Sequence, residues 1–158
     1  MSQIFLLSGA VHSGKTTRLT QWIKDKDNVD GILQPVIDGR RHIRHISSGK
    51  IRKLEVSEAL DTEGIITIGN YKFSSESFNW TRNQLILSFQ KSPHWLIIDE
   101  FGKLELDDKG LEPALGKIIY ELKNYPIINL IVVVRDYLIS GFLHKYSLSK
   151  NDVNTIEV

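Results

Sequence analysis

The chain contains no cysteine, only one methionine and four prolines. It also lacks any apolar run near the ~18–20 residues needed to cross a bilayer. Without cysteine there is no disulfide framework and no thiolate chemistry, a usage that fits a cytoplasmic location. Charge of one sign is missing too. The net charge is +1, so no global field draws the protein to nucleic acid or to a membrane. The five histidines, at 12, 42, 45, 94 and 144, form no H-x-x-x-H pair, and a transition-metal site is not expected. No signal-peptide pattern precedes the first apolar run, and there is no internal repeat or low-complexity stretch. What remains is an ordinary globular composition, 41% apolar and 25% charged over 158 residues. That length predicts a single domain, 1–158, with room for a proper core.

Against this plain background one segment stands out. Gly9-Ala10-Val11-His12-Ser13-Gly14-Lys15-Thr16-Thr17 matches the phosphate-cradling loop G-x-x-x-x-G-K-[ST]. Its setting matches as well, because the apolar run Gln3 to Ser8 precedes it and helical spacing follows from Arg18 to Lys26. The pattern has a chemical logic. Gly9 and Gly14 let the backbone curve with no Cβ in the way. Amides of the loop, including those of Val11, His12 and Ser13, converge on phosphate oxygens at the positive end of the next helix. Lys15 brings a point charge to the β- and γ-phosphates, and the Thr16 hydroxyl is a Mg²⁺ ligand. Thr17 either reaches the α-phosphate or caps the helix. His12 either touches a phosphate or stays in solvent.

Leu19, Trp22 and Ile23 follow i, i+3, i+4 spacing, so the first helix lays one face on a sheet. The texture then becomes β-like. Residues 31–37 and 42–46 flank the turn pair Asp38-Gly39, residues 51–56 continue, and 65–68 and 71–73 flank Gly69-Asn70. Residues 31–73 therefore read as a β-rich insertion. Ser74 or Ser75 caps a second helix, with Glu76 in its first turn and Phe78, Arg82, Leu85 and Phe89 at helical spacing. Residues 94–98 read as a buried parallel strand. A third helix is expected over 111–122, with Pro113 in its first turn. A second buried strand is expected over 127–134, a short helix over 136–146 and an edge strand over 153–158.

The run Trp95-Leu96-Ile97-Ile98-Asp99-Glu100 is an apolar strand ending in two carboxylates, a Walker-B pattern. Asp99 is placed to hold Mg²⁺, directly or through water. Glu100, one residue on, is placed to activate water as a general base. The D-E-F-G order is not that of a protein kinase, and no H-R-D loop is present. The longer segment Asp99-Glu100-Phe101-Gly102-Lys103-Leu104-Glu105-Leu106 resembles the D-E-[I/F]-G-K-[M/L]-E-L signature of small P-loop nucleoside-triphosphatases first described in thermophiles, which have a human cancer-related relative. Gly69 to Phe73 is similar to that family's G-x-Y-x-V hairpin. The stretch from Gly31 lies where the family carries its arginine-rich strand, although Gln34-Pro35-Val36-Ile37-Asp38 departs from the usual acid followed by arginine. The resemblance implies slow, Mg²⁺-dependent hydrolysis of several nucleoside triphosphates, ATP and GTP among them.

Three basic features have two readings each. Lys103 either stabilises charge on the transferred phosphoryl group or pairs with Glu105 or Asp107. Arg135, after the second core strand, either senses the γ-phosphate or stacks on the base, or else pairs with a carboxylate such as Asp136. Arg40, Arg41, Arg44, Lys50, Arg52 and Lys53 form either a solvated hairpin face or an arginine clamp on phosphates or an acidic partner. The expected fold is α/β: a P-loop three-layer α/β/α domain with a mostly parallel sheet and a β-hairpin insertion. The expected activity is Mg²⁺-dependent nucleoside triphosphate hydrolysis. A nucleotide or small-molecule kinase and a nucleotide-dependent switch or scaffold are the alternatives.

Overall fold

The computed structural model describes residues 3–9, 14–56 and 64–158. Five strands run parallel: β1 (Ile4–Gly9), β2 (Val29–Leu33), β8 (Trp95–Phe101), β9 (Asn129–Arg135) and β10 (Val153–Thr155). Antiparallel strands β3 (Val36–Ile37), β4 (Arg40–His45) and β5 (Ile51–Lys53) extend one edge, in the order β10-β1-β9-β8-β2-β4-β3, with β5 also on β4. Strands β6 (Ile65–Ile68) and β7 (Tyr71–Ser74) form a separate hairpin. Helices α1 (Lys15–Ile23), α2 (Ser75–Gln90), α3 (Lys103–Leu106), α4 (Ala114–Glu121) and α5 (Ile139–Lys145) complete the described elements, with three short 3-10 turns.

Side-chain alternation along the parallel strands builds three layers. Leu96 and Ile98 of β8, and Leu130, Val132 and Val134 of β9, point into one core with Phe78 and Leu85 of α2, Leu115 of α4 and Phe142 of α5. Their neighbours Ile97, Ile131 and Val133 point the other way, against Leu19 of α1. Among the described residues, α1 covers one face, and α2, α4 and α5 cover the other with Leu104 of α3. The thinner face is thickened by aromatics. Trp22 of α1 meets Trp95 of β8 edge-on at 5.1 Å, and Phe5 of β1 lies 5.6 Å from Trp95.

Strand β2 departs from expectation. It pairs parallel with β8, Asp30 beside Leu96 and Ile32 beside Ile98, so the antiparallel segment starts after Leu33 rather than at Gly31. Gly31 has φ 121°, and a Cβ there would stand 2.1 Å from the Ile97 carbonyl oxygen, so only glycine permits this approach of β2 to β8. Ser74 caps α2 by accepting from the Ser77 amide at 3.1 Å. The third long helix begins at Ala114, and Pro113 stands at its cap after a cis Glu112–Pro113 bond rather than inside its first turn. Strand β9 begins at Asn129, two residues late, because Ile127 stands 57% exposed outside the sheet. Strand β10 lies at the sheet edge beside β1, as its weak alternation suggests.

Candidate functional site

The site forms where β1, β9, β8 and β2 end on the same side of the sheet. Gly9 closes β1 and sits in register with Arg135, the last residue of β9. Gly14 caps α1 with φ 80°; an added Cβ would meet nothing within 4 Å, so conformation rather than crowding calls for glycine. Lys15 is buried, and its Nζ folds back from α1 to donate to the Gly9 carbonyl at 3.3 Å. Thr16 Oγ1 donates to Asp99 Oδ2 at 2.7 Å, joining the head of α1 to the end of β8. Val11, His12 and Ser13 lie outside the described residues.

The two carboxylates that end β8 occupy opposite environments. Asp99 is 2% exposed and accepts two neutral donors, the Thr16 hydroxyl and the Gln34 amide at 3.0 Å. Burial pushes its pKa up to about 6, the neighbouring Glu100 charge adds to the rise, and the two hydrogen bonds and Arg41 oppose it. Between Asp99 and Phe101 the pairing with β9 slips: Asp99 faces Val133 and Phe101 faces Val134. Glu100 falls in this bulge, the device by which a strand re-aims one side chain. Its Oε1 accepts from Arg41 Nη1 at 3.0 Å and from Arg135 Nη2 at 3.3 Å. Arg135 thus pairs with Glu100, and with the Tyr137 hydroxyl at 3.4 Å, rather than with Asp136.

A cleft of about 450 Å³ brings Gly14, Lys15, Thr16, Thr17, Asp99, Glu100 and Arg135 together. Gln34, Pro35, Val36 and Arg41 complete its far wall. Gln34 acts through its backbone amide, so its residue type carried no signal. Arg41 did carry one. It alternates along β4 with Ile43 and His45, both buried, whereas Arg40 and Arg44 share the opposite parity. A lone Ile43 among basic residues marks the inward face. Arg40, Lys50, Arg52 and Lys53 are exposed, and Arg52 stacks over Trp80 at 5.0 Å beside a long 3.9 Å pair with Glu76.

Lys103 lies outside the lining of this cleft. It opens α3 and lines a neighbouring pocket, with Nζ 5.9 Å from the centre of the Tyr137 ring. Among the described residues it forms no salt bridge to Glu105 or Asp107. Glu105 has a different task. It is 4% exposed and accepts the Gly102 amide on Oε1 and the Leu111 amide on Oε2, both at 2.9 Å. This clasp closes the loop around α3, and burial pushes the Glu105 pKa up to about 7 against the pull of those bonds.

Thr16 Oγ1 and Asp99 Oδ2 form an all-oxygen pair at the head of α1. That donor set fits a hard divalent cation whose remaining ligands are phosphate and water oxygens. Among the described residues no three His, Cys, Asp or Glu side chains converge into a dedicated cage, and no helix is long and apolar enough to cross a membrane.

A glycine-capped helix after a central parallel strand, facing acids on a strand two places away, defines a P-loop nucleotide-binding protein. The chain belongs to the NTPase family, whose profile matches residues 4–158. No functionally curated protein matches it. Its fold is that of THEP1 from the hyperthermophile Aquifex aeolicus, superposing with a TM-score of 0.74 over 98% of this chain and 88% of that one, at 17% identity. The class is therefore α/β, with a mostly parallel sheet between helix layers, as expected from the sequence.

Proposed function

We propose that this protein hydrolyses nucleoside triphosphates, ATP and GTP alike, to diphosphate and phosphate with Mg²⁺. The observation that carries this reading is Glu100, a carboxylate bulged into the phosphate cleft one residue beyond a buried aspartate bonded to Thr16. In this reading Gly9, Gly14 and the loop amides of Val11, His12 and Ser13 cradle the phosphates. Lys15 leaves the Gly9 carbonyl for the β- and γ-oxygens, and Thr17 faces the α-phosphate. Thr16 and Asp99 would hold Mg²⁺, which when bound would offset negative charge on the triphosphate.

Glu100 supports a specific order of events. Before substrate arrives, Arg41 and Arg135 both grip its Oε1. A γ-phosphate offers the two guanidiniums more oxygens and more charge than one carboxylate does. The arginines turn to the phosphate and Glu100 is released to orient water and take its proton. Two arginines then stabilise the transferred group from within the same chain.

Single-turnover hydrolysis of ATP and GTP by wild type and Glu100→Gln tests the proposal. The amide keeps size but takes no proton, so the rate should fall about 10²–10⁴-fold, while Mg²⁺-nucleotide affinity stays close to wild type. Hydrolysis within threefold of wild type removes Glu100 as the water-activating group. Loss of nucleotide affinity makes it a metal ligand and exchanges its role with Asp99.

A further inference from the structure

Beside the phosphate cleft lies a second pocket of about 320 Å³. The two meet at Gln34, Arg41, Glu100 and Arg135, which line both. Away from that junction their chemistry diverges. Among the described residues, no side chain of α1 reaches the second pocket. Its apolar walls are Leu54, Ile68, Phe73, Phe78 and Leu104, four of them buried, with Tyr71 47% exposed at its edge; Asn70 and Glu105 also line it, the Glu105 carboxylate already held by the Gly102 and Leu111 amides. Tyr71 and Phe73 lie nearly parallel, 13° apart, and Phe78 meets Phe73 edge-on. Lys103 adds one ammonium.

The nucleotide's own base does not belong here. Lys15 and Glu100 mark the γ end of the triphosphate, and the base leaves from the α end. A pocket entered past Glu100 faces the γ-phosphorus from the side where the attacking oxygen stands. Its volume is at the small-ligand scale of about 300–1,000 Å³, and its apolar, ring-lined walls are more than a lone water needs.

We propose that this pocket binds a small planar aromatic alcohol carrying one anionic group, and that the protein transfers the γ-phosphoryl group to its hydroxyl. The ring packs on Tyr71, the anion meets Lys103, and the hydroxyl faces Glu100. Glu100 takes the hydroxyl proton as the alcohol oxygen forms its bond to Pγ. The bond from Pγ to the β,γ-bridging oxygen breaks, and its electron pair leaves on the nucleoside diphosphate. The products are a phosphomonoester, the diphosphate and one proton. The inference rests on triphosphate binding in the first cleft, as proposed above, and adds an acceptor to it.

The test is ³¹P NMR of the full chain with MgATP and 4-(hydroxymethyl)benzoate, with benzyl alcohol and trans-4-(hydroxymethyl)cyclohexanecarboxylate as controls lacking charge or planarity. A phosphomonoester is expected with the benzoate, at least tenfold faster than with either control. Tyr71→Ala and Lys103→Ala should each lower the ratio of ester to free phosphate at least fivefold, and ADP affinity measured on the same samples reports an intact first cleft. Phosphate release with no ester at any probe concentration up to 10-fold over enzyme saturation by ATP overturns the acceptor site and leaves the hydrolase standing. An ester formed at equal ratio by both variants overturns the pocket assignment. Absence of both phosphate release and ATP binding overturns the underlying reading itself.

Discussion

Strand β8 delivers Asp99 and Glu100 to the cleft within one contiguous motif, and Gly9 at the end of β1 holds Lys15 beside them through its carbonyl. Strand β4 delivers Arg41 from the antiparallel segment, 59 residues away from the Glu100 it grips. The parallel ends hold groups whose positions are fixed by neighbours on both sides. The antiparallel segment supplies a long, partly exposed cation that reaches in from one edge. On the proposed reading, Glu100 is gripped from both regions: by Arg135 at the end of the central strand β9 and by Arg41 from the border.

The largest effect should come from the centre. Lys15→Ala removes the charge at the β- and γ-phosphates and should cut turnover by about 10²–10³-fold or more with a parallel loss of ATP affinity by calorimetry. Near-normal affinity would break the assignment of the centre as the binding element. Next is the clasp that closes α3 beside it. The folded pKa of Glu105, near 7, lies above its ordinary value of 4.5, so the folded state binds the extra proton between those limits. Its contribution to stability is fully present below pH about 4.5 and is lost as pH rises through 7, a change on the order of 3 kcal/mol. Urea unfolding across that range should show a steeper fall for wild type than for Glu105→Gln. His45 works against this slope, since burial lowers its pKa and its neutral form is lost on acidification.

Arg41→Ala should lower turnover at least tenfold, whereas Arg40→Ala should stay within twofold. Equal effects would erase the distinction that strand parity draws between the two faces of β4. The smallest effect belongs to Arg52, whose pair with Glu76 is long and exposed. Arg52→Ala should change unfolding free energy by about 0.5 kcal/mol or less, and a larger loss would show that its stacking on Trp80 ties the border to α2.

Much of the centre was legible because its signals are local. Gly9 to Thr17 and Trp95 to Glu100 each carry strand, loop and chemistry within one short stretch. The strand from Gly31 reads as part of the insertion rather than of the parallel core because its partner β8 lies far along the chain, and only the 2.1 Å approach of Gly31 to Ile97 reveals that pairing. Gln34 was invisible because it serves through its backbone. The role of Glu105 was hidden because a four-residue helix has too few positions for periodicity to register, so the clasp between Gly102 and Leu111 leaves no pattern. The partners of Arg41 and Arg135 depend on register between distant strands, which no single segment encodes.

The edge-on contact of Trp22 with Trp95 has an optical consequence. Trp22 rides on the helix whose head carries Lys15 and Thr16 into the cleft, while Trp95 is anchored at the start of the strand that carries Asp99. Any shift of that helix against the sheet alters the packing of one indole on the other and hence their emission. Trp80, the third indole, sits under Arg52 on α2 and supplies a separate signal from the border. The unlabelled protein therefore carries two built-in fluorescent gauges, and Trp22→Phe and Trp80→Phe variants distinguish which region moves first when a nucleotide enters.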